Sequence, residues 1–250
     1  MQELILIVVA LPFVSALLTQ LSVSRLGRKG VSVSIYAGWL TLAFASAVLW
    51  AALTGADAKE FSLSSVWGMI RFDALGTLMA LVITVISLIV RLYSIRYMVE
   101  ETGYGRFFVL LDLMTGALLL MVVAGDLITL LVAWHLIGIL LYFLLGFDTR
   151  SKPAARYAFW TWITYRFGDL PLLLAAALLY QAFDSWSLSV IFEQIAQSPQ
   201  TKTVFDLPLV EVVGTLVAVA AFARSAQFLL HTWLPYTMSG PTPVSALMHA

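Results

Sequence analysis

Six ionisable residues lie inside long apolar runs of this chain: Arg91, Asp112, His135, Arg166, Asp169 and Arg224. An ionisable side chain within a bilayer costs about 2.5–3.5 kcal/mol on insertion scales, so each needs a partner, a water-filled cavity or a function. Arg91 and Asp112 lie near the ends of neighbouring runs, where they can pair across helices or Arg91 can snorkel to the interface, a structural role in either case. Arg166 and Asp169 are three apart and share one helical face, which leaves two readings open: a mutually neutralising pair or a working one. His135 is nine residues into its run, roughly 13 Å deep at 1.5 Å per residue. A neutral imidazole there can simply donate one hydrogen bond to a neighbour. At the midplane the relay reading is favoured, because the two ring nitrogens can pass a proton near neutral pH. Arg224 comes seven residues before His231, and the stretch His231–Pro243 holds Pro235, Gly240, Pro241 and Pro243. Those residues break helices, and a broken helix at membrane depth is tolerated where it lines a cavity or packs on protein. A charged residue followed by a helix interruption points to a transport path.

Other chemistries are not written here. His135, His231 and His249 lack the short spacing of metal ligands, and there is no cysteine, so no metal site and no cofactor is expected. No phosphate-binding glycine loop or nucleophile-elbow pattern is present, and with a net charge of zero no basic surface for nucleic acid is implied.

The elements that must hold these residues follow from composition. Hydrophobic residues make up 61% and charged residues 11% of the chain, and mean hydropathy is +0.95. Soluble domains carry about 25% charged residues. A span needs about 20 mainly apolar residues, which predicts transmembrane helices near 3–22, 31–54, 74–97, 107–124, 126–147, 155–182 and 209–231, with an eighth starting near Pro243. Lipid admits no open sheet, so these runs are read as helices. The fold class is therefore all-α, a polytopic transmembrane helical bundle with broken helices. The segment 183–208 is mixed polar and apolar and can hold a short amphipathic helix. The first run, Leu4–Leu21, has its basic residues after it and no cleavage site, so it is read as a retained span. Ser245–Ala250 reads as the first turns of a helix, as expected for the N-terminal part of a longer protein.

Arg25, Arg28, Lys29, Arg96, Arg106, Arg150, Lys152 and Arg156 fall in one set of loops, and only Lys59, Arg71 and Lys202 in the other. The positive-inside rule puts the first set in the cytoplasm and the N-terminus in the periplasm of a cell inner membrane.

The segment Gln227–Ala250, QFLLHTWLPYTMSGPTPVSALMHA, resembles the signature of the proton-conducting membrane transporter family. That family includes subunit L of NADH-quinone oxidoreductase, the large Mrp antiporter subunit and the DabB subunit of DAB inorganic carbon transporters. Arg71–Leu78 (RFDALGTL), Tyr104–Phe108 (YGRFF), Trp134–Phe147 (WHLIGILLYFLLGF) and Tyr165–Asp169 (YRFGD) resemble further family stretches. The resemblance implies an antiporter-like inverted-repeat fold, with residues 1–106 as the first three transmembrane helices and 107–250 as the first repeat, its last span incomplete. It also implies proton passage along a polar axis. Arg166 and Asp169 match the family's Arg and Asp of span six, and His249 matches its span-eight His. Two positions depart together. His135 stands where the family has Glu, and Arg224 where it has Lys. Arg stays protonated where a buried Lys can release its proton, so a permanent charge at Arg224 is placed to gate His135 by repulsion. The expected proton-path or gating residues are His135, Arg166, Asp169, Arg224, His231 and His249.

The changed pair is most like the DabB type, a non-enzymatic subunit of a transporter complex driven by protons or Na+ that accumulates inorganic carbon with a large peripheral zinc-containing DabA-type partner. A proton-pumping subunit of a complex I-like NADH-quinone oxidoreductase or hydrogenase, or an Mrp-type antiporter, is the alternative. A non-conducting membrane anchor is a third class, its sign a dry core with Arg166–Asp169 as a closed pair.

Overall fold

The computed structural model describes residues 2–54, 61–65, 68–197, 203–204, 206–227 and 229–249. Helices dominate: α1 (Gln2–Leu26), α2 (Ser32–Thr54), α3 (Ala74–Tyr97), α4 (Tyr104–Val122), α5 (Leu127–Leu145), α6 (Lys152–Phe183), α7 (Leu188–Gln197), α8 (Leu209–Arg224) and α9 (Thr242–His249). Among the described residues, five segments are long and apolar enough to cross a membrane, the first of which, Leu6–Thr54, takes in most of α1 and all of α2. A 3-10 turn at Gly27–Val31 joins those two. That turn needs glycine, since a Cβ at Gly30 would lie 2.4 Å from the Ser22 carbonyl carbon.

Side-chain caps fix several helix starts. Asp73 accepts from the Gly76 N–H, Asp126 from the Thr129 N–H and Ser151 from the Ala154 N–H, each satisfying one of the donors a helix N-terminus leaves free. Two small antiparallel hairpins that helical periodicity does not reveal lie between spans. β1 (Phe61–Ser65) pairs with β2 (Gly68–Phe72), and β3 (Thr203–Val204) with β4 (Leu207–Pro208). The amphipathic helix expected within 183–208 is α7.

The helices pack largely in chain order, with α1 on both α2 and α4, then α3 on α4, α4 on α5, α5 on α6, and α6 on α8. The centre is aromatic and aliphatic: Phe107, Phe108, Leu111, Leu141, Leu144 and Leu145 are all buried. Phe107 meets Phe108 and Phe147 edge-on, at 5.7 Å between ring centres in both cases.

The ionisable pair Arg91 and Asp112 joins the first four helices. Asp112 is fully buried and accepts from Ser15 of α1 at 2.8 Å, Ser34 of α2 at 2.6 Å and Arg91 of α3 at 2.8 Å. Arg91 also donates to Thr115 at 3.1 Å. Of the two expectations for Arg91, pairing holds and snorkelling does not: the side chain is 3% exposed.

Several boundaries differ from the sequence expectation. α4 begins at Tyr104, ahead of the expected 107, so the division between residues 1–106 and 107–250 falls just inside it. α6 runs 32 residues and passes through Pro171. The seventh span, expected to reach residue 231, ends at Arg224. The chain then turns through Ala226 (φ 51°) and Leu229 (φ 66°), left-handed conformations that residues with a Cβ rarely adopt. The Trp233 indole caps the helix end, donating to the Ala223 carbonyl at 2.9 Å. A 3-10 helix at Pro235–Ser239 and then α9 follow.

Candidate functional site: an ion cluster centred on Asp169

Gly168 brings α6 and α8 together. A Cβ there would sit 2.3 Å from the Cβ of Ala223, so the helices cross where only glycine fits. The next residue on each helix, Asp169 and Arg224, is thereby brought to its partner. The Arg224 guanidinium donates to Asp169 Oδ1 at 3.1 Å and to the Trp134 carbonyl at 2.8 Å. It lies over the rings of Trp134 (4.6 Å) and Tyr165 (4.3 Å). Cation–π contact of this kind strengthens away from water.

Asp169 is the hub. Its side chain is 3% exposed, and Oδ1 accepts from the Trp134 indole at 2.5 Å as well as from Arg224. Arg166 Nη2 approaches Oδ2 at 2.8 Å. That contact is an ion pair without hydrogen-bond geometry, and Oδ2 accepts no hydrogen bond among the described residues. Gly138 supplies the space for both arginines. A Cβ there would lie 2.9 Å from Arg166 Nη2 and 3.3 Å from Arg224 Nη2.

His135 completes the cluster on α5. Its Nδ1 is 2.8 Å from the Leu131 carbonyl. That carbonyl can only accept, so Nδ1 carries the hydrogen, and in the neutral ring Nε2 keeps its lone pair. Nε2 lies 4.0 Å from Asp169 Oδ2, and the ring is 26% exposed. His135 and Arg224 were expected to face each other. Instead Asp169 stands between them, one oxygen toward each.

The structure therefore gathers four of the six expected residues: His135, Arg166, Asp169 and Arg224. His231 is not among them. It lies exposed in the interruption after α8, because the helix expected to carry it has already ended. His249 ends α9, and its side chain lies outside the described residues. Three site residues were not anticipated. Trp134 and Gly138 sit in the quoted α5 motif and Tyr165 opens the quoted α6 motif. The one sequence signal was an indole N–H placed at membrane depth, which needs an acceptor. Among the described residues no group of His, Cys, Asp or Glu could hold a metal ion.

A bundle of membrane-length helices with a charged cluster packed between α5, α6 and α8 defines a multi-pass membrane protein. The chain belongs to the NADH:quinone oxidoreductase/Mrp antiporter transmembrane family, which matches residues 124–250. Residues 62–108 match the N-terminal family of complex I chain 5. The chain is 56% identical over 242 residues to the probable inorganic carbon transporter subunit DabB1 of Halothiobacillus neapolitanus, an alignment covering 96% of this chain and 43% of that protein. It is 34% identical over 265 residues to NADH-quinone oxidoreductase subunit L of Neisseria meningitidis, covering 99% of this chain and 39% of that one. Among solved structures, the Mrp complex of a Dietzia species superposes with a TM-score of 0.79 at 27% identity, over 98% of this chain and 26% of the other. The chain thus spans less than half the length of these relatives.

Proposed function

We propose that this chain belongs to a transporter subunit, itself not an enzyme, that uses a proton or other cation gradient to accumulate inorganic carbon. The observation that carries the proton step is the approach of His135 to the Asp169 oxygen that Arg166 ion-pairs without hydrogen-bond geometry. His135 Nε2 and Asp169 Oδ2 face each other at 4.0 Å, with Nδ1 tied to the Leu131 carbonyl. A proton arriving at Nε2 creates an imidazolium beside a carboxylate oxygen that accepts no hydrogen bond among the described residues. Asp169 then exchanges part of its attraction for Arg166 for a bond to His135, while Arg224 holds Oδ1. The fixed guanidinium sets the charge balance, and the imidazole carries the proton. The cargo rests on the likeness to the inorganic carbon transporter subunit.

On this reading the protein lies in the cell inner membrane with its N-terminus periplasmic. Residues 1–106 are the first three transmembrane helices, 107–250 the first antiporter-like repeat, and the partner is a large peripheral zinc-containing subunit. Reconstituted into proteoliposomes with its partner, a His135→Gln complex keeps a hydrogen-bonding side chain that cannot titrate. Gradient-driven uptake should fall to background in that variant and persist in His135→Glu. Normal uptake by His135→Gln removes the imidazole from the proton path.

A respiratory proton-pumping subunit or an Mrp-type antiporter is the second reading, favoured by the identity to subunit L and the superposition on the Mrp complex. Identification of the proteins that co-purify separates the two. Of the two signs expected of a non-conducting anchor, the closed Arg166–Asp169 pair is present, at 2.8 Å. Arg166 is 28% and His135 26% exposed at the surface of the described residues.

A further inference from the structure

A cavity of about 170 Å³ lies beside the cluster, between α4, α5, α6, α8 and α9. Its wall is mostly apolar, with Met114, Leu118, Ile137 and Leu141 among the lining residues. Two groups stand out from that wall. One is the guanidinium of Arg224. The other is Tyr165, which is 3% exposed and carries a hydroxyl that can donate. Here it borders the same space as a cation.

The charge count is also unbalanced. Arg166 and Arg224 face the single carboxylate of Asp169, so with His135 neutral the cluster carries one excess positive charge. Arg166 Nε and Nη2 and Arg224 Nε are buried without hydrogen-bond partners among the described residues. An uncompensated cation at membrane depth is expensive. The cavity offers donors and an apolar wall, and no carboxylate lines it. That combination rejects cations and leaves a neutral guest nothing to offset the charge.

We propose that this cavity binds a small monovalent anion, a halide or a bicarbonate-sized oxyanion, between the Arg224 guanidinium and the Tyr165 hydroxyl. The bound anion neutralises the cluster and accepts from the Tyr165 hydroxyl. The apolar remainder of the wall limits the guest to one charge and a few atoms. The site stands on the cavity and the charge count, independently of what the complex transports.

The test is direct binding to the purified intact complex, with no transport step. Radiolabelled chloride should bind saturably at mildly alkaline pH. Tyr165→Phe, which removes one hydroxyl from a charged hydrogen bond, should weaken that binding about tenfold or more. Leu118→Trp, which fills the cavity and leaves every charge in place, should abolish it. Competition by unlabelled bicarbonate identifies bicarbonate as a physiological guest, and its failure to compete assigns the site to halide. No saturable binding, or binding that Tyr165→Phe leaves unchanged, overturns the proposal. Because Tyr165→Phe is a single-atom change, it remains decisive if Leu118→Trp fails to fold.

Discussion

At the scale of single residues, the cluster depends on atoms more than on charge signs. Arg224 makes two directed bonds, to Asp169 and to the Trp134 carbonyl, while lying over two rings. A lysine ammonium keeps the charge but not the planar fork. Arg224→Lys should therefore insert and assemble normally yet lose most gradient-driven uptake, measured in the same proteoliposomes. Full activity would mean that the charge alone suffices. Trp134→Phe is milder. It keeps the ring under Arg224 and removes the indole hydrogen bond to Asp169, worth about 1.5–3 kcal/mol for a bond to a charged group. The expected result is a changed pH profile of uptake with the protein level in the membrane unchanged. An unshifted profile would make Trp134 a packing residue.

At the scale of helices, two kinds of contact set the frame. The first is steric. Gly168 against Ala223 fixes where α6 and α8 cross, so Gly168→Ala should drive the helices apart and separate Arg224 from Asp169. Thermal unfolding in detergent should show a lowered midpoint. Adding Ala223→Gly removes the opposing methyl and should recover part of the loss. The second is polar. Asp112 gathers donors from α1, α2 and α3, and breaking a buried pair by removing one partner costs about 3–5 kcal/mol. Asp112→Ala should therefore deplete folded protein from the membrane. The double change Arg91→Met/Asp112→Leu leaves no orphan charge and should restore most of it. If the double variant is as poor as the single, this pair has a role besides joining helices. The two clusters differ in kind. The Arg91–Asp112 network binds both carboxylate oxygens, whereas among the described residues the Asp169 cluster leaves Oδ2 and three guanidinium nitrogens without hydrogen bonds.

At the scale of the molecule, orientation is the open physical variable, and the loop charges predict it. The turn between α3 and α4, on the side rich in Lys and Arg, should be cytoplasmic. These 250 residues contain no cysteine, so Thr102→Cys and Asp184→Cys report on opposite faces. An impermeant thiol reagent added outside intact cells should label Asp184→Cys and spare Thr102→Cys, and the reverse pattern would invert the topology. Most of the bundle was legible in the sequence, because a bilayer admits few backbone solutions and a run such as Leu127–Leu145 can only be a helix. The hairpins at Phe61–Phe72 and Thr203–Pro208 were not, since strands this short leave little periodic pattern. The end of α8 was misplaced for a related reason. Gln227–Leu230 is apolar enough to continue a span, and nothing local announces that Ala226 and Leu229 take left-handed conformations.

The sequence by itself determined that this is a multi-pass membrane protein, which residues carry buried charge, and that His and Arg replace the carboxylate and lysine its resemblance implied. Those properties belong to composition, spacing and residue type. Only the tertiary structure decided that Asp169 lies between His135 and Arg224, that Trp134 and Tyr165 belong to the cluster, and that His231 does not. Such facts depend on the angle and depth at which α5, α6 and α8 cross. A glycine with no room for a Cβ fixes one of those crossings, and a sequence shows the glycine without showing what it touches.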